Sequence, residues 1–160
     1  MHVAVDHITK VFGKVRANDD ISMALDRGHI YAVLGENGAG KSTLMKILSG
    51  YQPPDSGQLL LDGKSVHFST PADALRMGIG MLHQDVLDVP RLTVLENFIL
   101  GRADRLIPDW QRAKTALLEG TSRLGFVLHP DAYLDNLTIG ERQQLEIVRL
   151  LNRGAKVNDL

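Results

Sequence analysis

Residues Gly35-Glu36-Asn37-Gly38-Ala39-Gly40-Lys41-Ser42-Thr43 place three glycines, a lysine and two hydroxyls in one short run. The spacing is Gly35, four residues, then Gly40, Lys41 and Ser42, the Walker A pattern of a phosphate loop. Glycines at 35, 38 and 40 free the backbone from Cβ restraints, so successive amide N–H groups can point into one concavity. A helix N-terminus behind that concavity adds unpaired donors and a favourable dipole for a phosphate. Lys41 is suited to reach the β- and γ-phosphates as a mobile charge. Ser42 is suited to ligate Mg²⁺, and Thr43 to add a hydrogen bond. These residues predict a site for a nucleoside triphosphate.

Such a loop needs an element on each side. Ile30-Tyr31-Ala32-Val33-Leu34 reads as a short buried strand. Thr43 to Ser49 reads as a helix with Leu44, Ile47 and Leu48 on one face and Gly50 as its stop. Further strands are expected at His2 to Ile8, Ile21 to Leu25, Gly28 to Leu34 and Gln58 to Leu61. Ile79 to Leu82 is a second core-strand candidate. Helices are expected from Pro71 to Met77, Thr93 to Leu100 and Trp110 to Leu124, and from near Gly140 onward, where Leu145, Val148 and Leu151 recur at helical spacing. A strand-rich start, an α/β middle and a helical insertion predict an α/β fold with a separate helical lobe.

Composition narrows the class. The 160 residues fit one domain, and 18 basic against 19 acidic residues leave no electrostatic footprint for nucleic acid or an anionic membrane. No apolar run approaches the length of a membrane span, and no signal-peptide pattern opens the chain. With no cysteine there is neither disulfide nor thiolate metal site. The six histidines show no metal-ligand spacing and read as surface or structural. A cytosolic, soluble chain that docks on a membrane partner is the expectation.

Three further stretches stand at distances from the phosphate loop that resemble the ATP-binding domain of an ABC transporter, from about Val3 to Val157. Phe12 matches the family's adenine-stacking aromatic, since a flat ring stacks on a base without reading its edges. Gln84, in Met81-Leu82-His83-Gln84-Asp85, matches the Q-loop glutamine that positions Mg²⁺ or the attacking water. Leu137-Thr138-Ile139-Gly140-Glu141-Arg142-Gln143-Gln144 resembles the signature motif, which in this family caps the γ-phosphate held by the opposite subunit. Ile139 replaces the first glycine of the usual pair, and Glu141 stands where glutamine is usual. A carboxylate suits the helix dipole there but would repel phosphate if turned inward.

The resemblance implies a P-loop NTPase core with an antiparallel β-subdomain and a helical subdomain at about 90–140. It implies ATP and Mg²⁺ as ligands, with Ser42 and Gln84 at the metal. The implied partners are a second ATP-binding domain and transmembrane permease subunits docking on the segment after Gln84, at the inner face of the plasma membrane. No nucleic-acid partner is implied. The wording of Ser69 to Ala74, Gly78 to Gln84, Pro90 to Asn97 and Arg153 to Val157 is most similar to importers of nucleosides and simple sugars.

Past Val157 the family continues with an apolar strand ending in Asp-Glu-Pro, then a D-loop and a switch histidine. Here residues 158–160, Asn158-Asp159-Leu160, do not match. The expectation is a partial domain, 1–157, truncated or frameshifted, with exposed edges and weak ATP binding without turnover by itself. Two alternatives stand beside the importer subunit: an ABC-type ATPase without a membrane partner, and a non-catalytic nucleotide-binding module.

Overall fold

The computed structural model describes residues 1–83, 88–100 and 108–156. Gln84, expected at the Q-loop, and residues 158–160 lie outside the described residues. The described chain divides into two compact units. One is Met1–Met81 with the chain from Ala155, and the other is Leu82–Gly154.

In the first unit, β1 (Val3–Phe12) and β2 (Val15–Leu25) form a hairpin closed by Gly13-Lys14. Helix α1 is Lys41–Leu48; β3 (Ser56–Leu61) and β4 (Lys64–Val66) form a second hairpin over Asp62-Gly63. Asp62 and Gly63 both take positive φ, 48° and 77°, which suits the right-handed twist of the flanking strands. The sheet order is β2-β1-β3-β4, with every pair antiparallel. The inward residues Val5, Ile8, Leu59 and Leu61 pack with Leu44, Ile47 and Leu48 of α1, and with Phe68 and Ala74. Helix α2 (Pro71–Arg76) closes this core through Ala74. The register of β1 with β2 is interrupted where His7 and Asp20 both adopt φ 53°, joined by a 2.6 Å contact between Nδ1 and Oδ1.

The second unit contains α3 (Val94–Ile99), α4 (Trp110–Arg123) and α5 (Ile139–Asn152), with a 3₁₀ turn at Leu134–Asn136. Val94, Phe98, Leu117, Leu134, Leu145 and Val148 meet in its core. Asn97 is fully buried and fully used: its amide nitrogen donates to the carbonyls of Val89, Leu92 and Thr93, and its oxygen accepts from Val89 N–H. A buried amide with all its bonds made fixes the loop ahead of α3. Among the described residues no helix is long and apolar enough to cross a membrane.

Two strand expectations are overturned. Gly28 to Leu34, including Ile30 to Leu34, forms no strand, and neither does Ile79 to Leu82. Ile30 is 91% exposed and Leu34 90%, the reverse of a buried core strand. A strand exists only when another chain segment completes its hydrogen-bond ladder, and the four-stranded sheet offers these segments no place. Helix α1 begins at Lys41, two residues before the expected Thr43. The short strand β4, which the sequence reading did not mark, follows from the Asp-Gly turn.

Candidate nucleotide site

The chain leaves the sheet at Leu25 and returns to regular structure at Lys41. Between them lies the glycine loop. Ala39 N–H donates to the Glu36 carbonyl at 3.2 Å, closing a turn over Asn37 and Gly38. Gly38 and Gly40 take left-handed φ, 85° and 84°. At Gly40 the need for glycine is also steric, because an added Cβ would stand 1.9 Å from the Ala17 carbonyl oxygen of β2. The loop is therefore pressed onto the strand at the point where the helix begins.

Gly40 is the N-cap of α1 and provides no side-chain cap, and the first turn of α1 holds no acidic residue. The amides of Lys41, Ser42 and Thr43 thus open the helix without the internal acceptor that caps every other α-helix among the described residues. The Lys41 ammonium lies over the loop, donating to the carbonyls of Gly35 and Glu36, each at 2.7 Å. Gln52 Nε2 donates to the Thr43 carbonyl at 3.3 Å and ties the first turn of α1 to the loop that follows the helix. Open amides, a left-handed glycine turn and a lysine within reach form a cradle that fits an anion of phosphate type.

Phe12 stands at the end of β1, 49% exposed, with Lys10 Nζ 5.7 Å from its ring centroid. Lys10 also pairs with Asp55 at 2.8 Å, and this bond to Lys10, with a second from Val11 N–H, holds the Asp55 carboxyl below the usual carboxylate range. Phe12 and the glycine loop belong to the same unit. Thr138, Ile139, Gly140 and Glu141 belong to the other, at the start of α5. There Glu141 turns back on its own helix. Its carboxylate accepts from Thr138 N–H at 2.8 Å and from the Thr138 hydroxyl at 2.7 Å, while Glu141 N–H donates to Thr138 Oγ at 3.3 Å. The hydroxyl bond, then the amide bond, lowers the Glu141 pKa below the usual range. Ile139 is exposed, and a Cβ at Gly140 would meet nothing closer than the Thr138 hydroxyl at 4.0 Å.

A family profile described as "ABC transporter" matches residues 18–158, most of the chain. The chain belongs to the ABC transporter family. The open N-terminus of α1 is where the chain's own residues fit a phosphate. It is 46% identical over 155 residues to an arabinose import ATP-binding protein, AraG 1, of Burkholderia ambifaria, which covers 95% of this chain and 31% of that protein. It is 43% identical over 152 residues to the nucleoside import ATP-binding protein NupA of Lactococcus lactis subsp. cremoris, covering 94% and 30%. Against the ribose import ATP-binding protein RbsA of Rhodopirellula baltica the identity is 42% over 153 residues, covering 94% and 30%. The ABC chain thus spans about a third of the length of the curated relatives it matches. A nucleotide-free ATP-binding cassette from an ABC transporter superposes with a TM-score of 0.81 at 26% identity, over 97% of this chain and 66% of that one.

Sequence reasoning pointed to residues 35–43, which the structure places in the glycine loop and the first turn of α1. It passed over Asn18 of β2, whose amide nitrogen reaches the Gly40 carbonyl at 3.3 Å. The only signal was an amide side chain on a strand where the hairpin register is irregular, and no motif marks it.

Proposed function

We propose that residues 35–43 bind ATP as its Mg²⁺ complex. The loop amides and Lys41 would take the β- and γ-phosphates, Ser42 and Gln84 would share the metal, and Phe12 would stack on the adenine. The observation that carries this reading is the open N-terminus of α1, with an uncapped glycine and a lysine poised over it. When bound, Mg²⁺ would offset phosphate charge. This chain's own contribution is to bind and orient. In the longer polypeptide that its relatives suggest, the chain is a partial ATP-binding domain of an importer for pentose sugars or nucleosides. That whole protein would work at the inner face of the plasma membrane with permease subunits and a second ATP-binding domain. The start of α5, with Thr138, Ile139, Gly140 and Glu141, would face the second domain's nucleotide, and the helical region would receive the permease.

Calorimetric titration of the chain with ATP, with and without Mg²⁺, tests the reading. Lys41→Ala should weaken binding about 10- to 100-fold, the range of a charge-assisted contact. Ser42→Ala should remove most of the Mg²⁺ dependence. Unchanged affinity in Lys41→Ala would move the nucleotide elsewhere.

A further inference from the structure

Resting on that reading, we infer that Asn18 is a positioning residue for the phosphate loop: it sets the direction of the Lys41 N–H by holding the carbonyl on the other side of the same peptide bond. Asn18 lies on β2, is 6% exposed, and donates from Nδ2 to the Gly40 carbonyl at 3.3 Å. That carbonyl also accepts the first helical bond of α1, from Leu44 N–H at 3.0 Å. Two donors from different elements thus fix one oxygen. The described chain holds no cis peptide, and in a trans peptide the C=O and the following N–H point in opposite directions. Pinning the Gly40 oxygen toward β2 and the helix therefore turns the Lys41 N–H away from both, to the side on which the loop is open.

Gly40 cannot hold this orientation alone, since glycine is the residue least restricted in φ and ψ. The Ala17 carbonyl blocks one direction by contact, and Asn18 supplies the attraction. Asn18 Oδ1 is buried and has no hydrogen-bond partner among the described residues, and a stranded buried acceptor destabilises a fold. A leucine of similar size would fill the position without one. An amide kept there at that cost fits a task at the loop.

The test replaces Asn18 in the full chain by Leu and by Asp. Asn18→Leu should weaken ATP binding about three- to tenfold in calorimetry while the nucleotide-free melting temperature stays the same or rises. Asn18→Asp cannot donate and sets a carboxylate against a carbonyl, so its loss of affinity should be larger. Amide hydrogen exchange without nucleotide provides a readout that needs no ligand: exchange at Leu44, whose N–H is bonded to the Gly40 carbonyl, and at the next bonded amides of α1 should quicken in Asn18→Leu, with β1 and β3 unchanged. Unchanged exchange at those amides would overturn the inference, as would a leucine variant that binds ATP like the parent. A parallel fall in melting temperature and affinity would also overturn it, reducing Asn18 to a packing residue. If the parent chain itself binds no ATP, the nucleotide reading fails, and the exchange result still decides what Asn18 does to the loop.

Discussion

Two helix N-termini in this chain were marked by sequence for phosphate, α1 behind Gly40 and α5 behind Thr138, and they are finished in opposite ways. At α1 the cap position is a left-handed glycine without a side chain, the next residue is a lysine, and no acid enters the first turn. At α5 a threonine caps the helix and Glu141 completes a reciprocal capping box. The helices α2 and α3 are closed by the same device, Thr70 with Asp73 and Thr93 with Glu96. Free amides and a positive helix end attract any anion at hand, and the three boxes supply one from within the chain. The difference lies in the internal carboxylate: the start of α5 is closed by one of its own, and the start of α1 has none.

The strongest way to break this contrast is to give α1 the residue that closes α5. Thr43 occupies the third position of α1, the place Glu141 holds in α5. Thr43→Glu should abolish measurable ATP binding, since a like charge about 4 Å from a phosphate costs about 4 kcal/mol at the effective dielectric of a protein surface. The helix itself should keep or gain stability. Calorimetry and circular dichroism on one sample read both effects, and retained ATP affinity would break the comparison.

A smaller effect is expected from opening α5. Thr138→Ala removes the hydroxyl and should lower stability by about 1 kcal/mol, seen in urea unfolding, with ATP affinity of the chain unchanged. A matching loss of affinity would mean that the two termini are not independent in this chain.

The smallest effect concerns acid. In Asp73, Glu96 and Glu141 the bonds from the capping threonine hold the folded pKa below the usual carboxylate range; the hydroxyl bond leads at Asp73 and Glu141, and the amide bond at Glu96. A lowered folded pKa adds stability that is complete above the unfolded value and disappears as the pH falls through the folded one. The melting temperature should thus hold at neutral pH and decline below the usual carboxylate range. Glu141→Gln, which keeps an acceptor without a charge, should make that decline shallower. An identical acid limb in the variant would show that the box at α5 contributes nothing.

How much of this was legible in advance follows the range of each interaction. The glycine turn and the capping pairs are local, spelled by residues a few positions apart, so the turn ahead of Lys41 could be read directly, whereas Thr138 to Glu141 was read for its likeness to a motif and not for the capping box it forms. The helix face of Leu145 and Val148 was legible from periodicity, and both residues line the core of the second unit. Ile30 to Leu34 misled because five apolar residues state a wish for burial, while a strand also needs a partner that the segment cannot name. Asn18 was illegible for a similar reason: its significance lies in a carbonyl 22 residues away.

The run before the glycine loop has a mechanical meaning. Downstream, Gly40 is fastened to α1 and β2, and Gln52 ties the helix to its own exit loop. Upstream, Ile30 and Leu34 stand in solvent, with Tyr31 lending its hydroxyl to Asp26 N–H. The loop is a cantilever, fixed at one end. Fixing one backbone residue costs on the order of 1–2 kcal/mol of conformational entropy. A strand laid alongside residues 30–34 would turn the cantilever into a bridge and tighten the site without touching its ligand. By reciprocity the ligand would tighten the strand, so sheet completion and phosphate capture would be coupled through five exposed residues.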